Sequence, residues 1–114
     1  MTRVPAHVMA AVTEMVSHEL DEDFVELWSL PWYIRSMWPE ASDEDVRVVS
    51  EAILKDLLSR DVLLGDLDGG TGEFLPWRLE NPVGVAMHMW AELGRDPTIG
   101  EIAWLDRVAR NGAE

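Results

Sequence analysis

Apolar residues recur at helical spacing near the start of the chain, where Val8, Val12, Met15, Val16 and Leu20 fall on one face of a 3.6-residue period. Pro5 stands where a first helical turn tolerates a missing amide donor, so the pattern predicts a helix over residues 5–20. Phe24, Leu27 and Trp28 begin a second periodic segment. Pro31 must kink or end it, because proline lacks the N–H and clashes with the preceding turn. A new turn is expected to restart at Pro31 and carry Trp32, Ile34 and Trp38 to Pro39.

The next element is the clearest in the chain. Ser42 supplies an N-cap, and Asp43, Glu44 and Asp45 set negative charge against the positive end of the helix dipole. Val46, Val49, Ile53 and Leu57 form an inner stripe, widened by Ala52, Leu54 and Leu58, while Arg47, Glu51, Lys55 and Asp56 stay outside. A central helix over 43–60 is predicted. Val62, Leu63 and Leu64 then read as a short buried strand, 66–72 as a turn rich in residues that tolerate positive φ, and 73–78 as the returning strand. Val83, Met87, Trp90 and Leu93 define a helix from near Pro82 to Gly94, and Ile99, Ile102, Ala103 and Leu105 predict a last short helix.

The stretch over 43–78 resembles the winged-helix pattern: an apolar helix ending Leu57-Leu58-Ser59-Arg60, then Asp61-Val62-Leu63-Leu64-Gly65, a glycine-rich tip and Phe74-Leu75-Pro76-Trp77. The resemblance covers about a third of the chain, and it implies a recognition helix followed by a wing. The expected fold is mainly α with a small β-hairpin, a single winged-helix-like domain over residues 1–114.

Charge changes what that scaffold is expected to do. Acids outnumber Lys and Arg by 22 to 9, for a formal net charge of −13. The expected recognition helix carries Asp43, Glu44, Asp45, Glu51 and Asp56 against Arg47, Lys55 and Arg60, and the wing tip carries Asp66, Asp68 and Glu73. DNA affinity comes largely from neutralising phosphates, so carboxylates on that face oppose binding. Nucleic acid is not the expected partner, and a winged-helix transcriptional regulator is the alternative reading.

Composition bounds the rest. A chain of 114 residues, 47% apolar and 27% charged, has the make-up of one globular domain with its own core. The absence of Cys excludes disulfides, thiolate catalysis and Cys-based zinc sites, and points to the cytoplasm. Residues 1–15 lack the continuous apolar run of a secretory signal, and no run approaches the roughly 20 residues that span a bilayer, so no membrane role is expected.

Candidate chemistry is sparse. The acids and glycines of 66–73 evoke a calcium loop, but an EF-hand needs Gly at loop position six and a carboxylate at twelve, where Thr71 and Trp77 stand. A solvated hairpin tip is the expectation. His7 and His18, the latter four residues after Glu14, read as helix-surface histidines, and His88 beside Trp90 as a packed or rim histidine. Neither a nucleophile elbow nor a phosphate-binding Gly-Lys loop is present. No enzyme, catalytic residue, metal or cofactor is expected.

Six Trp, at 28, 32, 38, 77, 90 and 104, are the second unusual feature. Trp28 and Trp90 sit on apolar stripes and are expected in the core, whereas Trp32, Trp38 and Trp77 are expected to anchor a partner. In size and charge the chain is similar to the small acidic immunity proteins and antitoxins of bacteria. That likeness implies a basic protein partner such as a toxin, whose cationic cleft would face Asp21, Glu22, Asp23 and Glu26 together with Asp43, Glu44 and Asp45. An apolar stripe on the last helix, with Ile102 and Trp104, would invite homodimerisation.

Overall fold

In the computed structural model, which describes residues 5–111, the first apolar stripe winds into α1 (Ala6–Leu20) and buries Val8, Val12, Val16 and Leu20. The segment around Pro31 departs from expectation. Val25–Glu26 forms a short strand, β1, and α2 (Ser29–Met37) begins two residues ahead of Pro31. The amides of a first turn have no intrahelical acceptor, so a proline there costs no helical hydrogen bond. Pro31 is buried within α2 and does not end it.

The third helix, α3 (Asp43–Leu58), starts on a capping box: Asp45 N–H donates to Ser42 Oγ at 3.0 Å, and Ser42 N–H donates to Asp45 Oδ2 at 2.9 Å. It buries Val46, Val49, Ser50, Ile53, Leu54 and Leu57 and packs against α1 and α2. The hairpin follows as β2 (Val62–Leu67) and β3 (Phe74–Pro76), with Gly65 opposite Pro76 and Leu67 opposite Phe74. At its tip the Asp68 carboxylate accepts from the amides of Gly70 (2.7 Å) and Thr71 (3.1 Å), so this acid closes the turn. Then α4 (Pro82–Leu93) opens on Asn81, whose Oδ1 accepts from Gly84 N–H, and ends at Gly94 in the left-handed region with φ 71°.

The last element is a strand, not the short helix expected over 99–105. β4 (Trp104–Arg107) lies between β1 and β2, giving an antiparallel sheet of order β1-β4-β2-β3. The helix-like spacing of Ile99, Ile102 and Ala103 falls in a turn, where Gly100 has φ 81° and Ile102 φ 66°, which no helix accommodates. Pairing with two strands remote in sequence decides the outcome, so the stripe expected to drive dimerisation does not form. Ile102 packs against the core instead, and Trp104 is paired on both sides, to Glu26 and Gly65.

Asp106, the buried acid of β4, is 1% exposed. It accepts from Arg110 and from Asn111 Nδ2 (3.0 Å) in the closing 3-10 turn, Ala109–Asn111. Arg107 reaches the other way, donating to Ser17, Asp21 and Asp61. The end of the described chain is thereby tied to α1. Among the described residues no helix is long and apolar enough to cross a membrane.

Candidate functional site

One side of α2 carries Pro31, Trp32, Arg35 and Ser36, with Trp28 at its N-cap, spaced as neighbours on a helix surface. Opposite them runs the loop after α4, with Asp96, Pro97, Thr98 and Ile99. Between the two lies an open groove of about 500 Å³ whose walls are mostly apolar. Two of its side chains stand out into solvent: Trp32 is 59% exposed and Ile99 77%. They are the two most exposed large apolar side chains among the described residues, and both border this one groove.

The groove is braced by charge. Arg35 Nε donates to Asp96 at 2.7 Å and its Nη2 to Asp43 at 2.9 Å, which links α2, α3 and the loop. Both carboxylates raise the Arg35 pKa, the Asp96 bond most strongly. The far side of the loop is held by Glu101, which receives both Nη atoms of Arg95 at 2.8 Å and the Thr98 amide at 2.8 Å. The Arg95 hydrogen bonds hold the Glu101 carboxyl at about 2, well below the usual carboxylate range. Ile99 is therefore presented on a pinned turn.

A second hollow of about 320 Å³ shares Trp28 and Trp32 with the groove and adds Glu19, Phe24, Glu26, Tyr33 and Trp104. The Trp32 and Tyr33 rings meet edge to face, 5.4 Å apart, and Phe24 stacks on Phe74 at 5.9 Å. Tyr33 OH donates to Glu19, and Glu26 Oε1 accepts from Gly100 N–H at 2.6 Å, fastening the loop to β1. The two depressions make one aromatic band. It runs from the Arg35–Asp43 pair at one end to Glu19 and Glu26 at the other.

The residues expected to contact a partner divide accordingly. Trp32 projects from the band, whereas Trp38 and Trp77 are half-buried against the core, Trp77 with its indole N–H on Asp66 at 3.0 Å. Trp28, expected in the core, is half-buried in the wall shared by the two hollows, while Trp90 is 1% exposed. Among the acids, Asp21 pairs with Arg107, Asp23 caps the Phe24 amide, Asp45 belongs to the capping box, and Glu22 and Glu44 are exposed. Arg107 also binds Asp61, just beyond the C-terminal end of α3, so Asp21 lies near that end and Asp43 at the other. Asp21 lines a different depression, with Asp56 and Arg60, so the two acidic clusters do not merge into one patch on the aromatic band.

Sequence reasoning missed Ile99, Arg35, Asp96, Glu19, Phe24, Tyr33 and the role of Trp104. The 28, 31, 32, 35, 36 spacing on α2 was a usable signal; nothing local marked the 96–99 loop as its opposite wall.

The remaining chemical candidates gather no site. His88 is exposed on α4, 3.8 Å from Glu92, and among the described residues no three His, Asp or Glu side chains converge as metal ligands. No protein-family model matches the chain, and no curated protein sequence or solved structure is significantly similar to it.

Proposed function

We propose that this chain is a small protein-binding module that docks a basic protein partner, in the manner of an immunity protein or antitoxin, on the aromatic band centred on Trp32. The exposure of Trp32 and Ile99 on a braced groove carries the reading. Exposed aromatic and aliphatic side chains on a rigid support lose little entropy when covered and slow dissociation. Carboxylates at both ends, on a chain of net charge −13, would speed encounter with a cationic surface and repel anionic ones. The α3–β2–β3 unit serves in this reading as a winged-helix-like scaffold stripped of its usual ligand.

The duplex-binding alternative draws less support. On α3 and just past it, Lys55 pairs with Glu51 at 3.2 Å and Arg60 with Asp56 at 3.2 Å, so these cations are already neutralised. The exposed residues of α3 are Asp43, Glu44, Val48 and Lys55, with Arg47 half-buried beside them, so acids and cations are mixed on that face.

The test immobilises the full chain and a Trp32→Ser/Ile99→Ser variant and compares what each retains from an extract of the organism that encodes it. A basic protein held by the parent, released by salt and lost by the variant is expected. Equal retention by both, or retention of acidic proteins only, would overturn the proposal.

A further inference from the structure

We infer that the smaller hollow beside Trp104 is a receptor for a guanidinium group, the side chain of an arginine on the partner; this rests on the docking reading above and specifies its chemistry. The walls include the aromatic rings of Trp28, Trp32, Tyr33 and Trp104, and the charged side chains lining it are two acids, Glu19 and Glu26. Its volume, about 320 Å³, suits a planar cation on a slender stem. Aromatic faces attract cations through their quadrupole, and guanidinium stacks on indole while donating in its plane to carboxylates.

The two carboxylates are set for such a guest. Each is half-buried and spends one oxygen internally, Glu19 on Tyr33 OH and Glu26 on the Gly100 amide. Neither joins an ion pair among the described residues, although Arg35, Lys55, Arg60, Arg95, Arg107 and Arg110 all do. A carboxylate partly withdrawn from water among apolar rings gains most from a cation brought to it. Glu26 and Trp104 are cross-strand partners on β1 and β4, so the sheet itself fixes one acid beside one ring.

The assignment is tested by titrating the full chain with N-acetylargininamide, its neutral isostere N-acetylcitrullinamide, and tetramethylammonium while following the indole N–H resonances. The arginine probe should bind in the millimolar range and shift Trp28, Trp32 and Trp104, leaving Trp77 and Trp90 in place. Glu19→Gln/Glu26→Gln, which keeps an oxygen for Tyr33 and Gly100, should weaken it about fivefold or more, the scale of a lost charge-assisted hydrogen bond. Equal binding of the citrulline probe, an unchanged affinity in the double variant, or no shifts would overturn the site, and tighter binding of tetramethylammonium would overturn the guanidinium assignment. Failure here with retention of a basic protein still dependent on Trp32 removes this receptor and leaves the docking surface standing. Arginine binding without such retention removes the docking surface instead.

Discussion

Replacing Gly65 by alanine should unfold the sheet's centre at a cost that the geometry sets. Gly65 lies in β2 with β3 on one side and β4 on the other, opposite Pro76 and Trp104. A Cβ there would stand 2.4 Å from the Leu75 carbonyl oxygen, 2.7 Å from Phe74 Cζ and 2.9 Å from the Leu75 carbonyl carbon. The Phe74 ring can swing away, but the carbonyl belongs to a paired strand and moves only if β3 moves with it. Overpacking that displaces backbone costs about 3 kcal/mol, the upper part of the usual range. With an unfolding entropy of about 2.1 cal/mol/K per residue, that loss lowers Tm by roughly 12 °C in a domain of this size. Thermal melts followed by circular dichroism read it directly, with Gly69→Ala as control, because a Cβ at Gly69 meets nothing within 4 Å. A drop of less than about 3 °C for Gly65→Ala would refute the close approach of β2 and β3. Trp104 shares the Gly65 row, so the same variant should also weaken binding at the aromatic band.

Asp106→Ala leaves Arg110 and Asn111 Nδ2 without the acceptor they share and should lower the urea midpoint by the equivalent of about 2–3 kcal/mol at unchanged m, the partial exposure of Arg110 softening the loss. The Glu101 carboxyl, held at about 2 in the folded chain against an ordinary 4.5, contributes stability that is fully present above 4.5 and lost as pH falls through about 2. A side-chain NMR titration should find that low midpoint, and Arg95→Met should return it toward the ordinary value; a midpoint unmoved by Arg95→Met would show that the bidentate pair is not its cause.

Much of the helical frame was legible because its signals are local. Ser42 with Asp45 spells a cap, Val46 to Leu57 a buried stripe, and Pro82 with Gly94 the two ends of a helix. Trp32, Trp38 and Trp77 were set apart together from the two Trp on apolar stripes, and of these three only Trp32 stands exposed. β4 was illegible for the opposite reason: Ile99, Ile102 and Ala103 imitate a helical period, and only Val25 and Leu64, remote in the chain, give Leu105 its strand partners. The aromatic band inherits that difficulty, since Trp104 and Ile99 reach it through tertiary pairing. Proline misled as well. Pro31 signals a helix break in the interior of a helix, but here it occupies the first turn of α2, which starts at Ser29.

The association kinetics of the full chain with the basic protein it retains, measured across ionic strength with parent and Trp32→Ser, bear most directly on the central claim. In both proteins kon should fall about tenfold or more between low and high salt, while Trp32→Ser raises koff alone. A kon indifferent to salt, or a koff unchanged by the loss of Trp32, would contradict it.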